Sequence, residues 1–442
     1  MPPRNRRGPG PTTGASLARL SAVTSPSQPA EPLESAASDL VRPRLPPAFA
    51  AFAHRDFRLL FLGTATTQTG NWMQSVAIGR LILDMTGSGF YLGLAGFLRS
   101  IPQLFLSIPG GILADRVDRT RLLATFQGIA AVLTALLAGL IYAGSSNVWA
   151  ILTLTFLIGC SLAMVFPVRQ TLVSTSVPRI DLTSAVGLNS ANNNLTRTLG
   201  PAMAGILITL VGAAACFALQ TVGLLISFWA SIAMRVPNDD RRSIGSPMAD
   251  LAEAWDYVRA TPEVGGLLLS ALVPTALGMP YMALLPMFAR DLDIGASGLG
   301  FLMTVLGVGS ISGSIGFSAA GDFRYKGPVL LGTAAAFGAA LVALALSTGL
   351  VAALVSLFLA GVFSAVYQAT NNTLLQTIVP DALRGRVMSA YILTWGVMPL
   401  GTLPLGWLAD FRGAPFAVGL AGGLVLLFSA FSAARLPSVR AL

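Results

Sequence analysis

The sequence predicts an all-α membrane protein with about twelve transmembrane helices, arranged as two six-helix pseudo-symmetric bundles. Hydrophobic residues make up 54% of the 442 residues and charged residues only 11%, whereas soluble proteins carry roughly 25% charged residues. The apolar segments 148–165, 211–234 and 329–346 contain no charged side chain, and each approaches or exceeds the length of about 20 residues that a spanning helix needs. A closed barrel would also satisfy its backbone in lipid, but its strands would be about half as long and would alternate in polarity.

The charge and the cysteines narrow the class of protein further. The net charge is +9, but the arginines lie at the ends of apolar segments, which is typical of membrane topology rather than of nucleic-acid binding. Membrane lipids are therefore expected partners, and nucleic acid is not. Cys160 and Cys216 both lie in apolar segments and predict neither a disulfide nor a metal ligand. The only histidine, His54, is too isolated for a metal site, so no metal is expected.

Residues 1–48 differ in composition from the rest of the chain. Proline, serine, glycine and arginine alternate there without an apolar run. Such a composition is typical of disorder, and the missing apolar core argues against a signal peptide. We therefore expect a disordered cytoplasmic tail, with a mis-assigned start codon as the alternative for part of it.

The connections between the predicted spans alternate in charge. The twelve spans are centred near Asn71, Ser100, Val132, Phe156, Leu195, Leu224, Leu277, Leu306, Phe337, Leu359, Leu393 and Leu424. Every second connection holds the basic residues, at 116–121, 179, 235–259, 324–326 and 384–386. The intervening connections hold only Arg290 and Arg412. The positive-inside rule then places the arginine-rich connections and both termini in the cytoplasm.

The chain divides into two similar halves around a polar linker. We predict an N-terminal bundle at 49–235, a cytoplasmic linker at 236–262 and a C-terminal bundle at 263–442. Inside the linker Met248, Leu251, Trp255 and Val258 recur at helical spacing, which predicts an amphipathic helix on the membrane surface. Short matches between the halves recur at offsets of 202 and 204 residues. Such a duplication predicts a substrate site at the midplane between the repeats.

A loop after the second span carries the most specific motif. It runs Gly110-Gly111-Ile-Leu-Ala-Asp115-Arg116-Val-Asp118-Arg119-Thr-Arg121. This loop resembles the cytoplasmic signature of the major facilitator superfamily, although Asp118 and Thr120 depart from the pattern. The resemblance implies that Gly111, Asp115, Arg116, Arg119 and Arg121 form a conformational switch, in which Asp115 meets a helix N-terminus or a basic partner until the bundles rock. The alternative is that Asp115 and Arg116 only determine topology.

Further segments are similar to one bacterial branch of that superfamily, the group of the enterobactin exporter and the transmembrane secretion effectors. These segments are 70–77, 166–170, 188–201 and 254–262. The resemblance covers about 52–436 and implies a twelve-helix transporter of the bacterial cytoplasmic (inner) membrane. It implies export of a small organic molecule, such as a siderophore, a drug or a related metabolite, by alternating access. We expect a monomer without cofactor, driven by an ion or proton gradient.

The fifth span carries a second, weaker motif. Gly200, Pro201 and Gly205 are partly similar to the Gly-Pro motif of drug/proton antiporters, but Thr196 and Ala204 stand where that motif prefers glycine. The alternative is that these residues serve helix packing and a proline kink.

Polar side chains inside the spans are the candidate substrate-binding residues. Asn189, Asn193 and Arg197 are spaced four apart and share one helix face. Because an arginine near the bilayer centre costs roughly 2.5–3.5 kcal/mol, we expect Arg197 to face a cavity. The other candidates are Gln68, Asn71, Gln74, Tyr281, Tyr367, Gln368, Asn371 and Trp395. For each asparagine, hydrogen bonding between helices is the alternative role.

Acidic residues are absent from the middle of every predicted span. Asp84 and Asp410 lie at outer ends, and we expect Asp84 to pair with Arg80. A cavity that holds Arg197, with or without Arg99, favours anionic or polar neutral substrates over cations. Two alternative functions stay open, an importer of a small polar or anionic solute and a non-transporting scaffold or receptor. An enzyme is not expected, because the spans offer no nucleophile, metal or acid–base pair, and no nucleotide-binding motif occurs.

Overall fold

A computed structural model of the protein describes residues 46–144, 147–236, 255–321, 323–435, 437–440 and 442. The side chains at 107, 108, 112, 114–116, 381, 382 and 437 lie outside this description. The predicted tail therefore lies almost entirely outside the described residues. The same holds for most of the predicted linker helix, of which only 255–260 are described, and these are helical.

Six long helices form the first half of the described chain. A short 3-10 helix, Pro47–Ala53, leads into them, and a 3-10 turn at Arg179–Asp181 precedes the fifth. The long helices are α1 (Arg55–Thr86), α2 (Gly89–Arg116), α3 (Arg119–Tyr142), α4 (Val148–Thr175), α5 (Leu182–Leu210) and α6 (Ala213–Ala233).

The second half repeats this pattern with two interrupted helices. Helix α7 (Pro262–Asp291) contains a π-helical turn at Pro274–Gly278. Helix α11 consists of Asp381–Gly396 followed by Met398–Arg412. The others are α8 (Gly295–Ala319), α9 (Lys326–Ala345), α10 (Leu350–Ile378) and α12 (Ala414–Arg435), and a short helix at Pro437–Arg440 follows. All twelve predicted span centres fall within these helices.

Nine of the helices within the described part of the chain are long and apolar enough to cross a membrane, namely α3, α4 and α6 to α12. Helices α1, α2 and α5 are also long, with 32, 28 and 29 residues, and α1 and α5 are rich in polar side chains. A helix that faces protein or a water-filled crevice on one side can keep such polar groups away from lipid.

The same helix pairs pack against each other in both halves. In the first half α2 packs on α4 and α3 packs on α4 and α6; in the second half α8 packs on α10 and α9 packs on α10 and α12. Helix α1 contacts α5 and α6, as α7 contacts α11 and α12. Two further pairs, α5 with α8 and α2 with α11, join the halves.

Contacts between connections define two ends of the molecule. At the arginine-rich end, His54 Nε2 lies 2.7 Å from Asp181 Oδ2, which joins the start of α1 to the start of α5. At the opposite end, which we call the far end, Arg290 donates to the carbonyl oxygen of Gly87 at 3.4 Å. The predicted pair of Arg80 and Asp84 is confirmed near this end, with 2.7 Å between Nε and Oδ2.

Helices α2, α5, α8 and α11 join the halves, and their close contacts across the halves lie away from the arginine-rich end. Near the far end, a Cβ built on Gly300 of α8 would lie 2.6 Å from the Pro201 carbonyl oxygen and 2.8 Å from the Cα atom of Gly205, both on α5. Towards the arginine-rich end, Cβ positions built on four glycines of these helices meet no atom within 4 Å; these are Gly111, Gly187, Gly316 and Gly385. We interpret this open space as a crevice between the halves that faces the arginine-rich end.

Candidate substrate-binding site

A cavity of about 270 Å³ lies between the two halves, beneath the closed far end. Five helices line it, α1 and α2 from the first half and α7, α8 and α11 from the second. The two sides differ in chemistry. The first half contributes the polar residues Asn71, Ser75, Arg99 and Ser100, together with Trp72, Val76, Ile78, Gly79, Leu92, Ala95 and Gly96. The second half contributes Met282, Ala283, Pro286, Leu299, Met303, Met398, Pro399 and Thr402, of which only Thr402 is polar.

Among the described residues that line this cavity, Arg99 is the only charged one. Its Nη2 donates to the backbone oxygen of Asn71 at 3.0 Å and also to the Asn71 side-chain oxygen. Its Nη1 is buried and has no hydrogen-bond partner within the described structure. A buried donor without a partner favours a negatively charged or strongly accepting ligand, because the donor is otherwise left unpaired. Of the predicted substrate-binding residues, Asn71 lines the cavity, and the structure makes it a partner of Arg99.

Helix α5 presents Asn193 and Arg197 to the interior. One side of α5 packs on α1, where Asn192 donates to the Phe61 carbonyl oxygen at 3.4 Å, and another packs on α8 at Thr198. Leu195, Leu199 and Ile206 are exposed apolar residues between these contacts. At about 100° per residue, Asn193 and Arg197 lie on the opposite side from these leucines. The polar face of α5 therefore points away from the lipid, and Asn189 lies close to it.

Arg197 lies next to aromatic side chains from both halves. Its Cζ atom is 5.8 Å from the centre of the Trp72 ring on α1. Its charge also acts on the hydroxyl group of Tyr281 on α7, which is buried. The Nε atom of Arg197 has no hydrogen-bond partner within the described structure. The buried Tyr281 of the second half thus lies within range of the charge of Arg197 in the first half.

A third arginine inside the first half was not among the predicted site residues. Arg169 of α4 donates to Gln68 Oε1 at 3.4 Å and to Thr67 Oγ1 at 3.2 Å, both on α1. Gln68 therefore lies beside Arg169 rather than in the cavity. Gln74 is buried, and its Oε1 atom has no partner within the described structure. An arginine inside an apolar span was the available signal for Arg169, as it was for Arg99 and Arg197.

The predicted residues of the second half lie mainly in helix contacts. Tyr367 donates to the Ala271 carbonyl oxygen at 3.2 Å, and Asn371 donates to the Leu267 carbonyl oxygen at 3.0 Å. Both residues are buried and tie α10 to α7. Gln368 and Trp395 are half-buried. None of these four lines the described cavity. The structure brings Asn71 to Arg99 and places Arg197 over Trp72, and the α5 residues do not line the described cavity either.

The signature loop is described only in part. The side chains of Asp115 and Arg116 lie outside the described set. Asp118 begins α3, because its Oδ1 accepts the backbone N–H groups of Thr120 and Arg121 at 2.9 and 3.1 Å and the Thr120 hydroxyl at 2.6 Å. Burial alone would raise the pKa of Asp118, but these hydrogen bonds and the charge of Arg121 lower it below its ordinary value. Arg119 is half-buried and Arg121 is largely exposed.

The glycine and proline residues of α5 lie at helix crossings. A Cβ built on Gly200 would lie 2.5 Å from the Trp72 Cβ atom of α1. One built on Gly205 would lie 3.2 Å from the Gly300 Cα atom of α8. The Pro201 carbonyl oxygen is also close to Gly300. These three residues therefore allow α5 to approach α1 on one side and the opposite half on the other.

Asp410 forms a contact that the sequence did not indicate beyond its place at an outer end. Its carboxylate, on α11, accepts the hydroxyl group of Ser88 at 2.6 Å and the backbone N–H groups of Gly89 and Phe90 at 2.5 and 3.0 Å. These donors form the N-terminus of α2, which carries positive charge from the helix dipole. Asp410 therefore joins the two halves at the far end.

Within the described part of the chain, no acidic side chain pairs with an arginine of the interior. Ion pairs of the described residues include those of His54, Arg80, Arg121 and Arg290, which lie near helix ends. Arg99, Arg169 and Arg197 take part in none of them. Among the described residues, no three His, Cys, Asp or Glu side chains are grouped so as to hold a metal ion. The crevice therefore has a positive first-half wall.

Comparison with known proteins agrees with this architecture. The chain is 28% identical to the staphyloferrin A transporter of Staphylococcus aureus over 80% of its own length and 88% of that protein. It is 25% identical to the multidrug efflux pump Tap of Mycolicibacterium fortuitum, covering 87% and 96% of the two chains. It is 24% identical to the enterobactin exporter EntS of Shigella flexneri, covering 76% and 80%.

Solved structures share the fold at low sequence identity. The crystal structure of the peptide transporter POT superposes with a TM-score of 0.71 at 15% identity, covering 88% of this chain and 95% of that one. The family model of the transmembrane secretion effectors matches residues 47–442, which confirms the resemblance found in the sequence. The protein is a multi-pass membrane transporter and not an enzyme. The chain belongs to the transmembrane secretion effector family of the major facilitator superfamily.

Proposed function

We propose that this protein is a secondary active transporter that exports a small organic molecule from the bacterial cytoplasm by alternating access. The observation that carries the proposal is the contact between the halves at the far end, through Gly300 and Asp410, together with the open glycine positions towards the arginine-rich end. We interpret this pattern as a crevice that is open at the arginine-rich end, with Arg99 and Arg197 facing its interior. The positive-inside rule assigns the arginine-rich end to the cytoplasm. In this state the substrate enters from the cytoplasm.

The helix packing supports two six-helix bundles, at 49–235 and 263–442, joined by the linker at 236–262. Each half repeats the same pairs of packed helices, and within the described residues the largest contacts across the halves are those of α2 with α11 and α5 with α8. Rocking of one bundle on the other would break the far-end contacts at Gly300 and Asp410 and close the arginine-rich end. Asp115, by resemblance, would then stabilise the closed arginine-rich end.

The relatives support export as the direction and organic molecules as the cargo. One relative is named as an enterobactin exporter and another as a multidrug efflux pump. We propose an ion or proton gradient as the energy source, a monomer as the working unit and no bound cofactor. Import of a polar or anionic solute uses the same crevice and differs in the direction of net flux.

Transport into inverted membrane vesicles tests the proposal. Vesicles from cells that express the full chain are energised with NADH and given enterobactin, staphyloferrin A or ethidium. We expect NADH-dependent accumulation of at least one probe, and slower accumulation with Asp115→Asn at equal protein abundance. Accumulation no greater than in vesicles without the protein, for all three probes, would contradict export. Accumulation in right-side-out vesicles alone would favour import.

A further inference from the structure

The cavity beneath the far end has one polar, basic wall and one apolar wall. We propose that it binds the head group of an amphipathic organic anion, with Arg99 as the anchor and the methionine-lined wall against the apolar body. This inference rests on the proposed function, because it names the substrate class of the same crevice.

The basic wall fits an anionic head group. Arg99 uses Nη2 on Asn71 and leaves Nη1 without a partner. A carboxylate or a sulfonate accepts such a donor through a charge-assisted hydrogen bond, which is roughly twice as strong as a neutral one. Ser75 and Ser100 line the same wall and add hydroxyl donors. The orientation of the guanidinium group is fixed by Asn71 before a ligand arrives, which lowers the cost of binding.

The cavity discriminates against cations by charge. No Asp or Glu occurs among the described residues that line it, and those of the second half are all uncharged. Arg197 adds a second positive charge on the interior face of α5. A protonated amine would therefore meet only like charge, which is unfavourable in a region of low dielectric constant.

The opposite wall fits an apolar body. Met282, Met303 and Met398 come from three different helices of the second half, with Leu299 and Pro286 between them. Methionine is flexible and polarisable, so such a wall adapts to apolar groups of different shapes. A volume of about 270 Å³ lies near the lower end of small-molecule pockets, which are about 300–1,000 Å³. The enclosed space suits one head group and a short apolar segment, and a larger molecule extends into the crevice.

Three probes that share one apolar body test this proposal. The purified full chain in nanodiscs of zwitterionic lipid is titrated calorimetrically with 4-phenylbutyrate, 4-phenylbutanamide and 4-phenylbutylamine. We expect the carboxylate to bind at least tenfold more tightly than the amide, and the amine most weakly. Equal affinity for the carboxylate and the amide, or a preference for the amine, would overturn the proposal.

Variants assign the preference to Arg99. Arg99→Gln should reduce the ratio of carboxylate to amide affinity to within about twofold, and Arg99→Lys should keep part of it. Arg80→Gln is the matched control, because Arg80 pairs with Asp84 away from the cavity and its loss should leave the ratio unchanged. Met303→Gln should weaken the binding of all three probes without changing the ratio of carboxylate to amide affinity. A ratio that survives in folded Arg99→Gln protein would overturn the assignment.

A second design covers the case in which Arg99→Gln does not fold. Ser75→Asp places a carboxylate in the same wall and should lower the affinity for 4-phenylbutyrate at least tenfold while raising that for the amine. An unchanged order of affinities would contradict the site. Binding is measured here without a gradient, so it is independent of transport. If the protein transports a probe in vesicles but does not prefer the carboxylate in the titration, this inference fails and the proposed function stands. A protein that binds the anion but transports nothing refutes the proposed function instead.

Discussion

The carboxylate of Asp410, near the end of α11, accepts the backbone N–H of Gly89, the first residue of α2, at 2.5 Å. Ser88 and Phe90 donate to the same carboxylate. The two helices belong to different halves, so this contact closes the far end. An acidic side chain at a helix N-terminus is favourable by about 0.3–1 kcal/mol through the helix dipole, and three hydrogen bonds add to this value.

Replacing Asp410 should therefore open the far end. We expect Asp410→Ala to destabilise the state with a closed far end by about 1–2 kcal/mol. The ratio of molecules with an open far end to those with a closed one should then rise about 5- to 30-fold. Spin labels at Tyr142 and Leu346, exposed residues at the far ends of α3 and α9, report the separation of the halves by electron–electron double resonance. The control is Asp84→Asn, since Asp84 pairs within α1. A distance distribution that Asp410→Ala leaves unchanged would show that this contact does not hold the far end closed.

Gly300 should tolerate no side chain while the far end is closed. Its built Cβ position overlaps backbone atoms of Pro201 and Gly205, which cannot yield without separating α5 from α8. Overpacking costs about 1–3 kcal/mol, so Gly300→Ala should lower the melting temperature and slow transport. Gly332→Ala is the matched control, because a Cβ there meets no atom within 4 Å and alanine favours helix by about 0.5–1 kcal/mol. Equal melting temperatures for the two variants would contradict the packing argument.

Arg197 should contribute to anion transport through its charge and its stacking. With Arg197→Ala we expect uptake of 4-phenylbutyrate into proteoliposomes to fall at least tenfold, and uptake of the matching amide to fall less. Arg197→Lys keeps the charge but loses the planar contact with Trp72. Its uptake of 4-phenylbutyrate should therefore lie between that of wild type and that of Arg197→Ala. If both probes lost uptake equally, Arg197 would have a structural role rather than a role in substrate selection.

The helices and the interior arginines could be predicted from the sequence, but their contacts could not. Long apolar runs and alternating basic connections predict the spans, because the bilayer imposes both patterns. The shared face of Asn193 and Arg197 on α5 follows from helical periodicity. By contrast, Asn71 is predicted as a site residue without its bond to Arg99, and Asp410 is noted only as lying at an outer end.

These contacts depend on how distant helices cross, which a single sequence does not encode in any local pattern. Tyr367 and Asn371 are a second example of contacts that the sequence does not predict. Their four-residue spacing predicts a shared polar face, yet the side chains donate to backbone carbonyl groups of α7. A polar stripe on a membrane helix has the same periodicity whether it binds a substrate or a neighbouring helix.

The Asp118 cap should make the stability of the signature loop depend on pH. Its pKa is lowered in the folded protein, so its stabilising effect is complete above the ordinary aspartate pKa of about 3.9 and is lost as the pH falls through the lower folded value. Asp118→Ala should cost about 0.5–2 kcal/mol at neutral pH. The difference in melting temperature between wild type and this variant should shrink at acidic pH. Asp118→Asn keeps an uncharged acceptor, so the difference in melting temperature between Asp118→Asn and Asp118→Ala should not change with pH.

The central claim is that a polar crevice between the halves opens alternately to the two sides of the membrane. Thiol labelling tests it most directly, with Asn193→Cys in a chain that carries Cys160→Ser and Cys216→Ala. An impermeant maleimide is applied from either side of sealed vesicles, and Leu195→Cys is the lipid-facing control. We predict fast labelling of Asn193→Cys from the cytoplasmic side, a shift towards labelling from outside when Asp410→Ala is added, and almost no labelling of Leu195→Cys. Failure of Asn193→Cys to react from either side, or reaction no faster than that of Leu195→Cys, would contradict the account.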